Sequence, residues 1–431
     1  MLDSGSARST IRGMDVWGFD EFEGADIRIV GGGRDTIVGN RLATRPSPSV
    51  SGPEEIAIDA ERGATGGNVI QSNVVGASFE GRPAINLLPD AGGDTIGGPG
   101  PGQGNTMTDT SVELGAHSVV PGNTLTGVDV STGAGSTVGG PPTAPGTGAG
   151  NTINGDIVLG NDSVAQGNRI DANGRSGIAL SRHDTAGGAQ PRMGNLILGG
   201  LEFVYAGISV DDVLGTPSFG SPHHDDGNVI ENNTIEAITT AHESQSIGAI
   251  AIVSGTGNHV FDNTLRDDSS GIILGNGAYL YNGLHLDETD PNLHQPYALL
   301  FDAVARGGRI GLSGRLTAHG NSRYTIDLYE QPSCAQNSIT PGVGQHDLGR
   351  EHVHTDAFGD ALFTLSFPEA PRAGAVSATA TAPNGSTSEF SPCLTVGRGG
   401  PDVHGHRRDA ARGPRSRPGR RAPRRPRAPP R

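Results

Sequence analysis

One short phrase recurs along this chain: Gly-Asn, any residue, then an apolar residue. It appears as GNRL at Gly39, GNVI at Gly67, GNTM at Gly104, GNTL at Gly122 and GNTI at Gly150. It continues as GNRI at Gly167, GNLI at Gly194, GNVI at Gly227 and GNHV at Gly257. Successive copies lie about 17 to 37 residues apart, the period of solenoid repeats that carry loop insertions. In the fullest copies a second Asn follows five positions on: Asn68 with Asn73, Asn168 with Asn173, Asn228 with Asn233 and Asn258 with Asn263. A further apolar phrase lies between copies, as GIAL at Gly177, GISV at Gly207, GAIAI at Gly248 and GIIL at Gly271. Each unit thus holds three apolar pieces of about three to five residues, the short end for strands. None leaves room for a helix of ordinary length.

Three short strands per unit with Gly or Asn at the bends predict a parallel β-helix. Each coil pairs with the coils on either side, which satisfies its backbone groups. Gly and Asn take the left-handed conformations of tight bends most cheaply, and stacked Asn amides can hydrogen-bond along the axis. Composition agrees. Gly numbers 69, aromatic residues make up 4% and hydrophobic residues 34%. Such a chain is poor in helix formers and lacks the aromatics of a propeller. The segment 99–150 is weakly patterned and is expected to be irregular or looped out.

From about Leu293 the pattern changes to longer alternating strands, such as RYTIDLYEQ and ALFTLSFPEA, separated at hairpin-like intervals. About a hundred residues of this kind predict a small antiparallel β-sandwich. Cys334 and Cys393 both fall in it, outside any CxxC or Cys/His cluster, so structural zinc is disfavoured. They read as a disulfide, which suits an extracytoplasmic compartment; two free thiols are the alternative. Residues 398–431 are Arg/Pro-rich and predicted to be disordered. No aromatic interleaves the arginines, so nucleic-acid binding is not expected. Formal net charge is −15. The first residues carry no apolar signal core, and no stretch approaches the roughly 20 apolar residues of a membrane span. The N-terminal residues read as coil with no preceding cap, which fits a start inside a longer chain.

STIRGMDVWGFDEFEGADIRI, followed by GNVIQSNVV and the GNTI repeats, resembles bacterial right-handed parallel β-helix surface proteins. YTIDLYEQPSC, HTDAFGDALFTLSFP and ATATAPNGSTSEFSPC are similar to an Ig-like module that often ends such chains, joined here through NGLHLDETDPNLHQPY. The resemblance covers most of residues 9–396. It implies an exported or surface-attached protein, in a family usually without an assigned activity. The missing export signal and the Arg-rich tail depart from it. The expected fold is all-β: a right-handed parallel β-helix over 1–292, an Ig-like β-sandwich over 293–397 and a disordered tail.

Loops leaving the same corner of successive coils cluster in space. SRHDTAGGAQPRMG follows GIAL, and DDVLGTPSFGSPHHDDG follows GISV. Arg182, His183, Asp184, Asp211 and Asp212 are therefore candidates for one face, with His223, His224, Asp225 and Asp226 nearby. Paired carboxylates there suit glycoside hydrolysis. Asp oxygens with an Arg suit a Ca²⁺-assisted polysaccharide lyase, and the His-His-Asp-Asp run suits a transition metal. Solvated loop residues are the plain alternative. No cofactor is expected, apart from a possible role for Ca²⁺. The expected function is an extracellular or surface-associated structural and binding protein. Its expected partner is a polysaccharide or another cell-surface component, with lyase or hydrolase activity on an acidic polysaccharide as the alternative.

Overall fold

The computed structural model describes residues 7–16, 25–42, 56–61, 63–76, 83–87, 92–140, 145–172, 176–199, 205–210, 225–238, 248–266, 268, 270–275, 282, 290–334, 342–368 and 374–398. Among them there is no α-helix.

The short apolar phrases are strands with one residue inside and its neighbours outside. In Val229–Glu231 the flanking residues are half-buried and Ile230 is fully buried. So short a strand is held by its equivalents in adjacent coils. Ile230 lies opposite Ala186 on one side and Val260 on the other, in parallel register. Ten such strands form the first sheet, from Thr10–Arg12 to His259–Phe261. A second sheet runs from Asp15–Val16 to Thr264–Arg266, and a third from Ala25–Ile29 to Ile272–Leu274. The chain visits the three sheets in turn, which makes a parallel β-helix. With strands about 4.8 Å apart, the ten coils span on the order of 50 Å.

The interior is built of stacked columns. Ile58, Ile85, Val112, Val130, Ile157 and Ile178 follow one another up the third sheet, all at or below 1% exposure. Each such side chain contributes roughly 1.5–3 kcal/mol of burial free energy.

The segment 99–150 corrects the expectation of irregular coil. It contains the two longest strands of the β-helix, Thr106–Leu114 and Thr124–Thr132, paired along nearly their whole length. These strands cross from the second sheet into the third without a loop. The corner is turned by one left-handed residue in each, Asp109 at φ 49° and Gly127 at φ 64°. Here the second and third apolar pieces of the unit merge into one strand, so the three-piece pattern fades where the backbone is most continuous.

Two hydrogen-bonded columns run along the axis. The first joins Asn40, Asn73, Asn105, Asn123, Asn151, Asn168, Asn195, Asn233 and Asn263 at the corner between the first and second sheets. From Asn73 onward, each Oδ1 accepts from the backbone N–H and the Nδ2 of the Asn one coil earlier. Asn123 thus donates to Asn151 at 2.8 and 3.0 Å. Nδ2 of each Asn also donates to an interior carbonyl below it, as Asn151 does to Val120 at 2.6 Å. The second column precedes the first sheet and is mixed: hydrogen bonds join Asp35, Asn68 and Asp94, and then Ser118, Ser136, Ser163, Asp184, Asn228 and Asn258. The Gly-Asn phrase therefore serves two different corners. Asn168 belongs with Asn73 and Asn233, rather than with Asn68 and Asn228 as the five-residue spacing suggested. Asn173 lies outside the described residues.

Two four-stranded sheets follow, built mainly from long antiparallel strands around a separate core that includes Leu312, Tyr324, Ile326, Leu328 and Phe367. Cys334 and Cys393 are joined by a disulfide. The outer face of the sheet containing Arg323–Gln331 closes the end of the β-helix, and Tyr329 and Phe390 belong to the β-helix core. Their rings meet edge to face at 5.1 Å. A Cβ on either Gly271 or Gly344 would come within 2.6 Å of the Phe390 ring, so glycine at both positions admits it.

The last coil would otherwise end in unpaired N–H groups on all three sheets. Val260 N–H donates to Thr387 Oγ1, Leu265 N–H to the Gly344 carbonyl and Leu274 N–H to Glu389 Oε1. Asn292 ends the second column: its Oδ1 accepts from Asn258 N–H at 3.0 Å, and its Nδ2 donates to the carbonyls of Asn258 and Thr387. This anchoring holds Asn292, Leu293 and His294 in left-handed backbone, at φ 46°, 55° and 43°.

Candidate functional site

The expected cluster divides into residues the structure describes and residues it does not. Asp211, Asp212, His223 and His224 lie outside the described residues. Arg182, His183, Asp184, Asp225 and Asp226 are described, and they do meet at one corner. His183 N–H donates to the Asp226 carbonyl at 3.0 Å, and Asp184 N–H donates to Asn228 Oδ1 at 2.7 Å.

The acidic members of this corner face the architecture. Asp184 is fully buried in the second column. Its Oδ1 accepts from Ser163 N–H at 2.8 Å and its Oδ2 from Ser181 N–H at 2.7 Å. Burial pushes its pKa up to about 7 against those two hydrogen bonds, and the nearby Asp162 and Asp225 add to the rise. Asp225 is 3% exposed and accepts from Ser254 Oγ. Asp226 Oδ1 accepts from the N–H and Oγ1 of Thr256 at 2.6 and 3.0 Å. His183 occupies the left-handed bend, φ 56°, that Gly227 and Gly257 fill in the next coils. Its Nδ1 lies 3.4 Å from Asp162 Oδ1 across an exposed surface, where an ion pair contributes little. Arg182 is exposed, and its carbonyl pairs with Asp162 N–H. Asp268, outside that corner, ties down a turn through Ile238 N–H at 2.8 Å.

Among the described residues, no group of three or more His, Cys, Asp or Glu side chains is arranged to hold a metal ion. A groove of about 320 Å³ lies between two glycine-rich loops, over Gly122, Thr124 and Thr152, and none of its lining side chains is ionisable.

Among the described residues, the densest set of perturbed groups lies where the last coil meets the sandwich, and the sequence reading missed it. Asp262 occupies the left-handed bend before Asn263, at φ 55°. Arg350 comes from the sandwich strand His346–His354. It donates through Nη2 to Asp262 Oδ1, places Nε 3.2 Å from Asp327 Oδ1 and stacks 4.9 Å over the Phe261 ring. Asp347 is on the same strand. Burial and the neighbouring Asp262 and Asp327 carboxyls push the Asp347 pKa up to about 7, against the Gly349 N–H. Burial opposes ionisation of Asp262, but the neighbouring Asp347 and the hydrogen bond and charge of Arg350 outweigh it and hold its pKa below the usual range. Burial raises Asp327 to about 6 despite Arg350. Burial and Arg350 lower His259 to about 4. The one local clue was FDN at 261–263, where an aspartate stands at a bend that glycine, serine or asparagine fills elsewhere.

No family model matches the chain, and no curated protein matches it. No helix among the described residues is long and apolar enough to cross a membrane.

Proposed function

We propose that this chain is an extracellular or surface-associated structural and binding protein. Its β-helix is the rigid rod, and the C-terminal module, which we read as Ig-like, closes or attaches one end. The ligand class we favour is carbohydrate or another cell-surface component. The observation that carries this reading is the fate of the described carboxylates at the candidate corner. Asp184, Asp225 and Asp226 are engaged by backbone and hydroxyl donors of their own and neighbouring coils. That arrangement serves a scaffold better than a paired acid and base, which need two carboxylates facing a substrate. The Cys334–Cys393 disulfide favours an oxidising compartment.

A panel of neutral and acidic polysaccharides, with and without Ca²⁺, tests the reading. Retention on at least one polysaccharide without release of new chain ends is the expected result. Turnover that disappears in Asp211→Asn or Asp212→Asn chains would replace this reading with the hydrolase or lyase one.

A further inference from the structure

We propose that a second copy of this chain pairs with the free edge of the strand Asp360–Pro368, antiparallel to the same strand of the first, so that one continuous sheet carries two β-helices. Among the described residues the two sheets of the sandwich have four edges. Two of them are strands of only two residues, Leu394–Thr395 and Gly397–Arg398. The third, His346–His354, carries Asp347, Arg350 and Glu351 and pairs through a register shift. Shortness, charge and irregularity all protect an edge from further pairing. The fourth edge has none of them. Asp360–Pro368 is nine residues long, carries no charge from Ala361 to Phe367, and keeps an unbroken register with Arg309–Thr317. Leu362 on its outer face is 80% exposed.

The hydrogen bonds show which backbone groups this edge presents. Along an antiparallel strand, residues alternate between bonding the neighbour and pointing away from it. Asp360 points away: its N–H donates to Asp356 Oδ1 at 3.0 Å, and its carbonyl accepts from Asp356 N–H at 2.9 Å. Ser366 also points away, since its carbonyl accepts from Arg309 Nη2 at 2.6 Å. Leu362 and Thr364 lie between them in the same set. Their N–H and carbonyl groups therefore face outward, together with the Ser366 N–H. A second copy turned about Thr364 sets its Ser366 opposite Leu362 and its Thr364 opposite Thr364. Every outward group then meets an outward group, and the contact is isologous, so it closes at two chains.

Charge favours the same register. Arg309 reaches across the outer face to Ser366, with Nε 2.8 Å from Oγ and Nη2 on the carbonyl, so its guanidinium lies at the edge. Among the described residues it has no carboxylate partner in its own chain. Asp360 stands on the same face as Leu362, two residues away. In the pair it becomes a diagonal neighbour of Ser366 of the second copy, within reach of the Arg309 that covers it. The two-fold axis repeats this ion pair at the other end of the contact. Residues opposite each other point to the same face. The two outer faces therefore stay on one side, and the two β-helices project together from the other. Such a pair presents two rods to one ligand surface, which favours multivalent binding.

Sedimentation equilibrium on the full-length chain tests this. A reversible equilibrium between monomer and dimer is expected, weaker at high salt. Leu362→Lys puts a charge on the exposed edge and should raise the dimer Kd by about tenfold or more. Arg309→Asp sets a carboxylate against Asp360 of the second copy and should weaken the dimer as well. Thr364→Pro removes an outward N–H but none of the bonds to Arg309–Thr317, and should leave a monomer. Melting curves identify the variants that fold, and Leu362→Lys decides if the proline variant does not. A wild type that stays monomeric at every concentration overturns the proposal. So does a dimer whose Kd is unchanged in folded Leu362→Lys, or an open-ended assembly that does not stop at two chains.

Discussion

The side-chain oxygen of Asn228 accepts the backbone N–H of Asp184 at 2.7 Å, across 44 residues of chain. One coil is thereby registered on the next, and a carboxyl group is sealed into the corner. The ordinary pKa of that carboxyl is 3.8, and burial raises it to about 7. A pKa raised by folding means that the folded state binds the extra proton. The resulting stabilisation is fully present below about pH 4 and is lost as pH rises through about 7. Asp184→Asn removes the titration. The unfolding free energy of the wild type minus that of the variant should fall from pH 4 to pH 8, by an amount on the order of a few kcal/mol. A difference that does not change with pH would show that Asp184 does not titrate in this range.

Asn151 makes its ladder contacts in both directions. It donates to Val120 O and Asn168 Oδ1, and accepts from the N–H and Nδ2 of Asn123. Asn151→Ala should cost about 3 kcal/mol, since buried donors lose their acceptor. Asn151→Asp should cost more at neutral pH, because an ionised oxygen would face two acceptors, and should partly recover in acid. Urea unfolding at pH 5 and pH 8 separates the two variants. Asp184 tolerates the acid where Asn151 would not, because its second oxygen meets the N–H of Ser181.

Phe390 plugs the open end of the coil stack at 2% exposure. Phe390→Ala should destabilise by about 3–5 kcal/mol. It should also loosen the cover over the strand edges of the last coil, so association should grow with protein concentration. Melting curves and light scattering across a concentration series report the two effects.

The disulfide closes a loop between residues 59 apart. On the chain-entropy account, removing it costs about 4 kcal/mol. A Cys334→Ser, Cys393→Ser double variant should lose this stability, and reductant should then have no further effect on its melting temperature. The loss should fall on the sandwich, read by exchange of amides in 323–331 and 375–381.

The architecture was legible because it repeats. Short apolar pieces with Gly or Asn at the bends allow few folds, and the phrases at Gly177, Gly207, Gly248 and Gly271 fall at equivalent positions of the third sheet. The assignment of Asn168 was misread because two corners of one coil have the same chemical need, a left-handed residue followed by an amide. Residues 99–150 were misread because a corner turned by a lone Asp109 or Gly127 lies inside one continuous strand, so two of the three apolar pieces are not separated by a loop. The seam cluster could not be found by periodicity, since Asp262 and Arg350 are 88 residues apart and belong to different patterns. At Asp184 the sequence revealed an acid in the right neighbourhood. Only the fold showed that it faces inward.

The amide columns also separate the length of the rod from the length of the chain. Consecutive rungs of the all-Asn column are as little as 17 residues apart, from Asn151 to Asn168, and as much as 38, from Asn195 to Asn233. Either interval advances the structure by one coil. Residues inserted between rungs enlarge what the surface displays, and only a further rung makes the rod longer. Reach and display are thus set by different parts of the same repeat, and each can change without disturbing the other.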